Sequence, residues 1–270
     1  MNTQLRFLFY ILIFFTISET LLGNERRFTY VYETLTLPPG AREIEIWNTY
    51  RSNRDYFYRR MDQRIEYEFG VTDNLMSALY LNASWISRDS NGGLDEGDAV
   101  TSQSISISSE WKYKLMDRTA DFIGMALYGE GTLGLNEAEL EAKLLFDKQV
   151  NNFLFAFNGV IEQEWETEFE EGETEVEKEL AFEFDFGAAV LLSNSLALGL
   201  EVRNHNEVVE GEWDFSALFA GPVISYSTEY WWATLTFMPQ IKALKGADSG
   251  NLVLRDHEKF ETRLLFSFHL

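Results

Sequence analysis

Three histidines, His205, His257 and His269, are the neutral-pH bases of this chain, and it contains no cysteine. A hydroxyl nucleophile needs a base held beside it. None of the three is followed by a serine in a His-x-Ser pattern, and by the strand reading below His205 and His257 fall on strands that are not neighbours. The absence of thiols removes cysteine nucleophiles and thiolate metal sites. No catalytic residue, metal site or cofactor is therefore assigned. The carboxylates are the abundant chemistry. Asp and Glu number 44 against 22 Lys and Arg, a formal net charge of -22, which excludes nucleic acid as a partner because phosphates need cationic neutralisation.

The acids are ordered. Between Glu162 and Glu179 ten glutamates occur in eighteen residues; Glu162, Glu164, Glu166, Glu168 and Glu170 share one parity, and Glu171 to Glu179 the other, with Gly172 between. A hairpin here sets two glutamate rows side by side, and like charges directly opposite are destabilising. Either water and salt screen them in a hairpin that projects into solvent, or a divalent cation binds, since Ca²⁺ takes six to eight oxygens. The Asp/Gly spacing of a dedicated calcium loop is absent. Elsewhere Glu66, Glu68, Glu139, Glu141, Glu183 and Asp185 join Glu162 and Glu164 on the polar parity, with Arg60, Arg64, Arg203 and Arg263 among them. If that face encloses an open lumen, its acids favour cations; if the arginines ladder with the acids, they plug a narrow one.

Both readings need elements that alternate. At the C-terminus Phe260, Thr262, Leu264, Phe266, Phe268 and Leu270 fall on one parity and Lys259, Glu261, Arg263, Ser267 and His269 on the other, the period of a strand with one apolar face. Ending on such a strand resembles the closing strand that outer-membrane assembly machinery reads, with Leu270 in place of the usual Phe. The same alternation marks strands near 41–50, 58–70, 75–86, 104–115, 122–130, 139–147, 153–166, 176–191, 196–204, 213–226, 231–241 and 257–270, about twelve in all. Turns after even-numbered strands are short, as at Thr72-Asp73-Asn74 and Ser193-Asn194-Ser195. Those after strands 3, 7, 9 and 11 read as longer. Short turns on one rim, longer loops on the other and an even strand count make an outer-membrane barrel. Trp85, Trp165 and Trp213 are expected near the outer rim, Trp231 and Trp232 near the inner one. A soluble β protein with the same alternation is the alternative; the 22 Phe, most on the uncharged parity, argue against it.

At the N-terminus Arg6 precedes an apolar run from Phe7 to Phe15, followed by Ser18, Thr20 and Gly23: a signal peptide over residues 1–23. Residues 24–40, ending in Leu37-Pro38-Pro39-Gly40, are expected as a periplasmic segment, and 41–270 as one transmembrane antiparallel up-and-down β-barrel, all-β, with both termini periplasmic.

The stretches Leu37-Pro-Pro-Gly, Glu43-x-Glu45-x-Trp47-x-Thr49-x-Arg51, Gly70-Val-Thr-Asp-Asn, Ala126-Leu-Tyr-Gly-Glu130, Trp231-Trp-Ala-Thr-Leu235 with Pro239-Gln240, and Asp256-His-Glu resemble landmarks of an uncharacterised family of bacterial outer-membrane β-barrels often labelled transporters. The resemblance spans most of the mature chain and specifies architecture, without an agreed substrate to carry over. The expected function is passive, weakly cation-preferring permeation of small solutes, without turnover; a closed structural or adhesion barrel and, behind it, an outer-membrane hydrolase are the alternatives. Expected partners are outer-membrane lipid, lipopolysaccharide, the barrel-assembly machinery that would read Phe266, Phe268 and Leu270, and divalent cations at the Glu162 to Glu179 hairpin.

Overall fold

Alternation decides which way every strand faces, and pairing then decides the shape. The computed structural model describes residues 24–90, 98–170 and 173–270, so the expected signal peptide lies outside the described residues. Among the described residues there are twelve strands and no helix: β1 Arg42–Ser52, β2 Tyr58–Thr72, β3 Leu75–Asp89, β4 Ala99–Met116, β5 Gly124–Gly134, β6 Glu137–Val150, β7 Phe153–Glu170, β8 Glu173–Leu191, β9 Leu196–Val209, β10 Glu212–Ser227, β11 Trp231–Lys245 and β12 Phe260–His269. Each pairs antiparallel with its sequence neighbours, and β12 pairs with β1 to close a barrel. The closing register sets Glu43 opposite His269 and Ser52 opposite Phe260. Beyond it, the Leu270 amide donates to the Arg42 carbonyl at 3.0 Å. Closure leaves no unpaired edge, as a sheet in lipid requires.

The apolar parity points outward. Ile65, Leu79, Leu81, Ile105, Ile107, Phe155, Phe184, Leu200 and Phe268 are all exposed on the outer wall. A soluble barrel would turn this parity inward and its glutamates out. The opposite arrangement is an outer-membrane barrel whose outer face is matched to lipid. Trp85, Trp111 and Trp213 stand on that wall, and the Trp231 ring stacks on Phe266 at 5.5 Å. Trp232, expected in the inner girdle, is instead inside the barrel, 1% exposed, with Nε1 donating to Glu43 Oε2 at 3.3 Å. Successive strand residues face opposite ways, so two consecutive tryptophans cannot both meet lipid.

The rim carrying both barrel ends has tight turns, such as Asp73-Asn74 held by Thr72 Oγ1. The opposite rim differs from expectation. In place of long loops after strands 7 and 9, β9 and β10 meet at Glu210-Gly211, both at positive φ (51° and 84°), which suits a two-residue hairpin. β7 and β8, of 18 and 19 residues, stay paired as far as Glu170 opposite Glu173. The polar alternation of Glu and Thr keeps the strand period, so the sheet continues beyond the apolar band where a loop was read.

Residues 24–37, expected in the periplasm, run inside the barrel. Phe28 and Val31 pack with Leu154, Ala156, Ala189 and Val223. Tyr32 lies among Trp47, Tyr128, Leu145, Trp232 and Leu265, and Tyr30 among Phe215, Phe219, Met238 and Val253. Gly187 is where the wall makes room, since a Cβ there would come 2.8 Å from the Phe28 ring.

Candidate functional site: an acidic lumen holding the N-terminal segment

An irregular segment cannot satisfy its own backbone, and every buried N–H needs an acceptor. The lumen acids supply them. Glu201 of β9 accepts from the amides of Thr29, Tyr30 and Val31 at 3.0, 2.8 and 3.0 Å through Oε1. Its Oε2 accepts from the hydroxyls of Thr29 and Thr236. Asn158 of β7 pairs with both backbone groups of Tyr32, at 2.6 and 2.9 Å. Asp147 of β6 accepts from the Thr34 amide and hydroxyl at 3.0 and 2.6 Å, and Arg118 pairs with Glu33. Glu43 of β1 takes the Asn24 amide at 2.8 Å and the Ser267 hydroxyl at 2.9 Å. The segment thus enters near Glu43, turns over at Thr29–Val31 on Glu201, and leaves past Asp147 toward Leu37 at the short-turn rim.

The basic residues divide the lumen. Arg203 bridges Glu183 (2.5 Å) and Glu261 (3.0 Å), and His205 Nδ1 lies 2.5 Å from the same Glu183 oxygen. Arg263 lies over the Tyr30 ring at 3.9 Å and donates to Thr49 Oγ1 at 2.9 Å. Arg64 reaches Asn82 at 2.7 Å, Glu130 at 3.1 Å and Glu66 at 3.7 Å; Arg60 pairs with Asp62 at 2.6 Å. Asp185, buried, stands opposite Arg203 in the β8–β9 register. Glu66 and Glu68 are buried on β2, facing Glu45 and Glu43 across the β1 pairing.

The β6–β8 side is different. Glu139 stands opposite Glu164 and Glu141 opposite Glu162, all four half-buried, with Lys143 Nζ 3.0 Å from Glu141. These are like-charge cross-strand pairs, tolerable where water reaches them. The outermost part of the glutamate hairpin, where a divalent cation was an alternative, includes residues 171–172, outside the described residues. Phe266, Phe268 and Leu270 line the seam beside β1 on the lipid side, the Phe266 and Phe268 rings 4.5 Å apart.

A second inward element comes from the β11–β12 connection, residues 246–259. The Val253 amide donates to Gln240 Oε1 at 2.7 Å, and Gln240 Nε2 donates to the Val253 carbonyl at 2.9 Å. This fold brings the His257 ring within 4.9 Å of Phe219 and 5.1 Å of His205. Strand reading had set those histidines on non-neighbouring strands; the loop closes the gap by folding inward. Burial pushes His257 well below the usual histidine range, and its Nδ1 accepts the Glu258 amide at 3.0 Å. With Glu183 holding His205 and the Phe215 and Phe219 rings beside His257, the pair is a packed ring contact. Sequence reading also missed the roles of Glu201, Asp147 and Asn158, because nothing local distinguishes a lumen acid that accepts backbone amides from one that faces water.

Two solved structures share this architecture. The COG4313 outer membrane channel from Pseudomonas putida F1 matches with a TM-score of 0.59 at 10% identity, over 88% of this chain and 98% of that one. The beta domain of the Bordetella autotransporter BrkA matches at 0.52 and 6% identity, over 86% and 100%. At such identities the likeness is one of fold, that of bacterial outer-membrane barrels. No curated protein matches the sequence. The model of one protein family does match, across residues 20–270, and the chain accordingly belongs to DUF6662, a family of unknown function.

Proposed function

We propose that this outer-membrane barrel passes small solutes passively and prefers cations, along the acid-lined β6–β8 side of its lumen, with the N-terminal segment as a constriction. The observation that carries the reading is the facing of Glu139 with Glu164 and of Glu141 with Glu162, half-buried and with Lys143 as the adjacent base. Many of the acids across the lumen contact arginines or the N-terminal segment, while the four glutamates here have Lys143 beside them, so this side retains an excess of negative charge. Low-dielectric walls strengthen its field and raise the local cation concentration. The structural match to a protein described as an outer membrane channel supports a transport reading over a catalytic one. Lipid surrounds the wall; lipopolysaccharide at the outer leaflet and the assembly machinery at Phe266, Phe268 and Leu270 belong to the same proposal.

Purified, heat-modifiable protein in planar bilayers tests it. Replacing Glu139, Glu141, Glu162 and Glu164 by Gln is expected to shift the reversal potential toward anions without unfolding the barrel. Selectivity should also fade as the screening length drops to about 3 Å at 1 M salt. A folded protein without conductance would favour the closed structural barrel. Lipid or peptide hydrolysis abolished by His205→Ala or His257→Ala would make it an enzyme instead.

A further inference from the structure

We infer that Glu45, Glu66 and Glu68 form a divalent-cation site of the calcium class inside the lumen, beside the entry of the N-terminal segment. Glu45 of β1 stands directly opposite Glu66 of β2, and Glu68 is two residues along the same face. One carboxylate oxygen from each lies within 4.8 Å of the others. That is the span of two Ca²⁺–O bonds of about 2.4 Å on opposite sides of one ion.

The second observation is the state of those oxygens. The three side chains are 1%, 1% and 3% exposed, yet both oxygens of Glu45, both of Glu66 and Oε2 of Glu68 lack a well-formed hydrogen bond among the described residues, the Trp47 indole N–H being a donor close to Glu45. Neighbouring lumen acids show what an anchoring carboxylate looks like here: Glu43 accepts from Asn24, Trp232 and Ser267, and Glu201 from five donors. Buried polar atoms without partners are costly, and buried anions facing one another more so. The nearby cations, Arg26, Arg64 and Lys112, are shared with other groups. Arg64 lies 3.7 Å from Glu66 but closer, at 3.1 Å, to Glu130. Arg26 gives Nη2 to the Thr29 carbonyl at 3.0 Å and lies over Tyr32 and Trp47. Three carboxylates against Arg26 and shares of Arg64 and Lys112, which also face Glu130 and Glu110, leave an excess of negative charge that a divalent ion neutralises. An all-oxygen donor set selects a hard cation, and up to six carboxylate oxygens suit the coordination number of Ca²⁺ better than the strict, partly hydrated octahedron of Mg²⁺. The site does not depend on whether the lumen conducts.

The test uses the full chain refolded in detergent, stripped with chelator and titrated with Tb³⁺ as a Ca²⁺ surrogate. Trp47, two residues from Glu45 on the same face, is the expected sensitiser. The expected result is saturable luminescence at one ion per barrel, displaced by Ca²⁺ and weakened at least tenfold in Glu45→Gln/Glu66→Gln. Ca²⁺ should also raise the temperature of heat modification in the wild type and not in that variant. Should the double variant fail to fold, Glu68→Gln is read in the same way, with heat-modifiable mobility reporting folding. Binding that survives in the folded variants places the ion on the outer glutamate rows and overturns the inference. So does the absence of saturable binding to folded wild type, or binding gained on Arg26→Ala, which would make Arg26 the counter-ion of the trio.

Discussion

His257 illustrates how a residue outside the strands couples the outer loop to the wall. Its ring sits against Phe215, Phe219 and His205, with Glu258 and Glu261 as the acids and Arg203 and Arg51 as the cations around it. Desolvation comes first among the causes that hold it neutral, followed by the charge of His205. When the loop undocks, the ring regains an ordinary pKa near 6.5. Below that pH the undocked state takes up a proton that the docked state refuses. Docking is therefore strongest above pH 6.5 and loses up to about 1.4 kcal/mol per pH unit as acid is added below it. Protection of the Val253–Glu258 amides, measured by hydrogen exchange relative to each amide's intrinsic rate at the same pH, should fall between pH 7 and 5 in the wild type. His257→Phe keeps a ring without the titration and should flatten that dependence; an unchanged slope would assign it to another titrating group.

At the scale of elements, β12 shows what parity is worth. Phe268 stands on the lipid side opposite Ile44, while His269 faces the lumen opposite Glu43, with Nδ1 2.9 Å from the Glu229 carbonyl. Phe268→Asp puts a charge on the lipid face of the closing strand, at a depth-dependent cost of roughly 0–2 kcal/mol, and spoils the apolar end of the chain. It should reduce the heat-modifiable, outer-membrane fraction several-fold. His269→Ala removes one rim contact and should be mild. Equal losses would mean the register is wrong. The paired β7–β8 strands make the complementary point, since a polar strand of correct period stays paired beyond the lipid.

The molecule as a whole is a barrel whose own N-terminal segment is part of its interior. Deleting residues 24–37 removes the partners of Glu201, Asp147 and Asn158. Because β1 to β12 close without them, the deletion should still fold, and its conductance in planar bilayers should exceed the full chain's severalfold. Glu201→Ala should act in the same direction by orphaning three buried amides, at roughly 1–3 kcal/mol each before water enters; Glu201→Gln keeps an acceptor and should act less. Identical conductance with and without the segment would show that it does not constrict the path.

Strand number, facing and closure were legible in the chain because they rest on a period of two repeated over many residues: Ile44 out and Glu43 in, Phe268 out and His269 in. Local alternation needs no partner to be read. The partnering itself was not legible. Leu37-Pro38-Pro39-Gly40 marks where the barrel begins, but a short aromatic segment before it reads the same in the periplasm as in the lumen. Its place inside was decided by Glu201, 172 residues from Thr29, and by a wall glycine that admits Phe28. Which lumen acids are spent on amides, which on arginines, and which, like Glu45 and Glu68, on no hydrogen-bonded arginine follows from distances across the barrel. Those distances exist only once the sheet has closed.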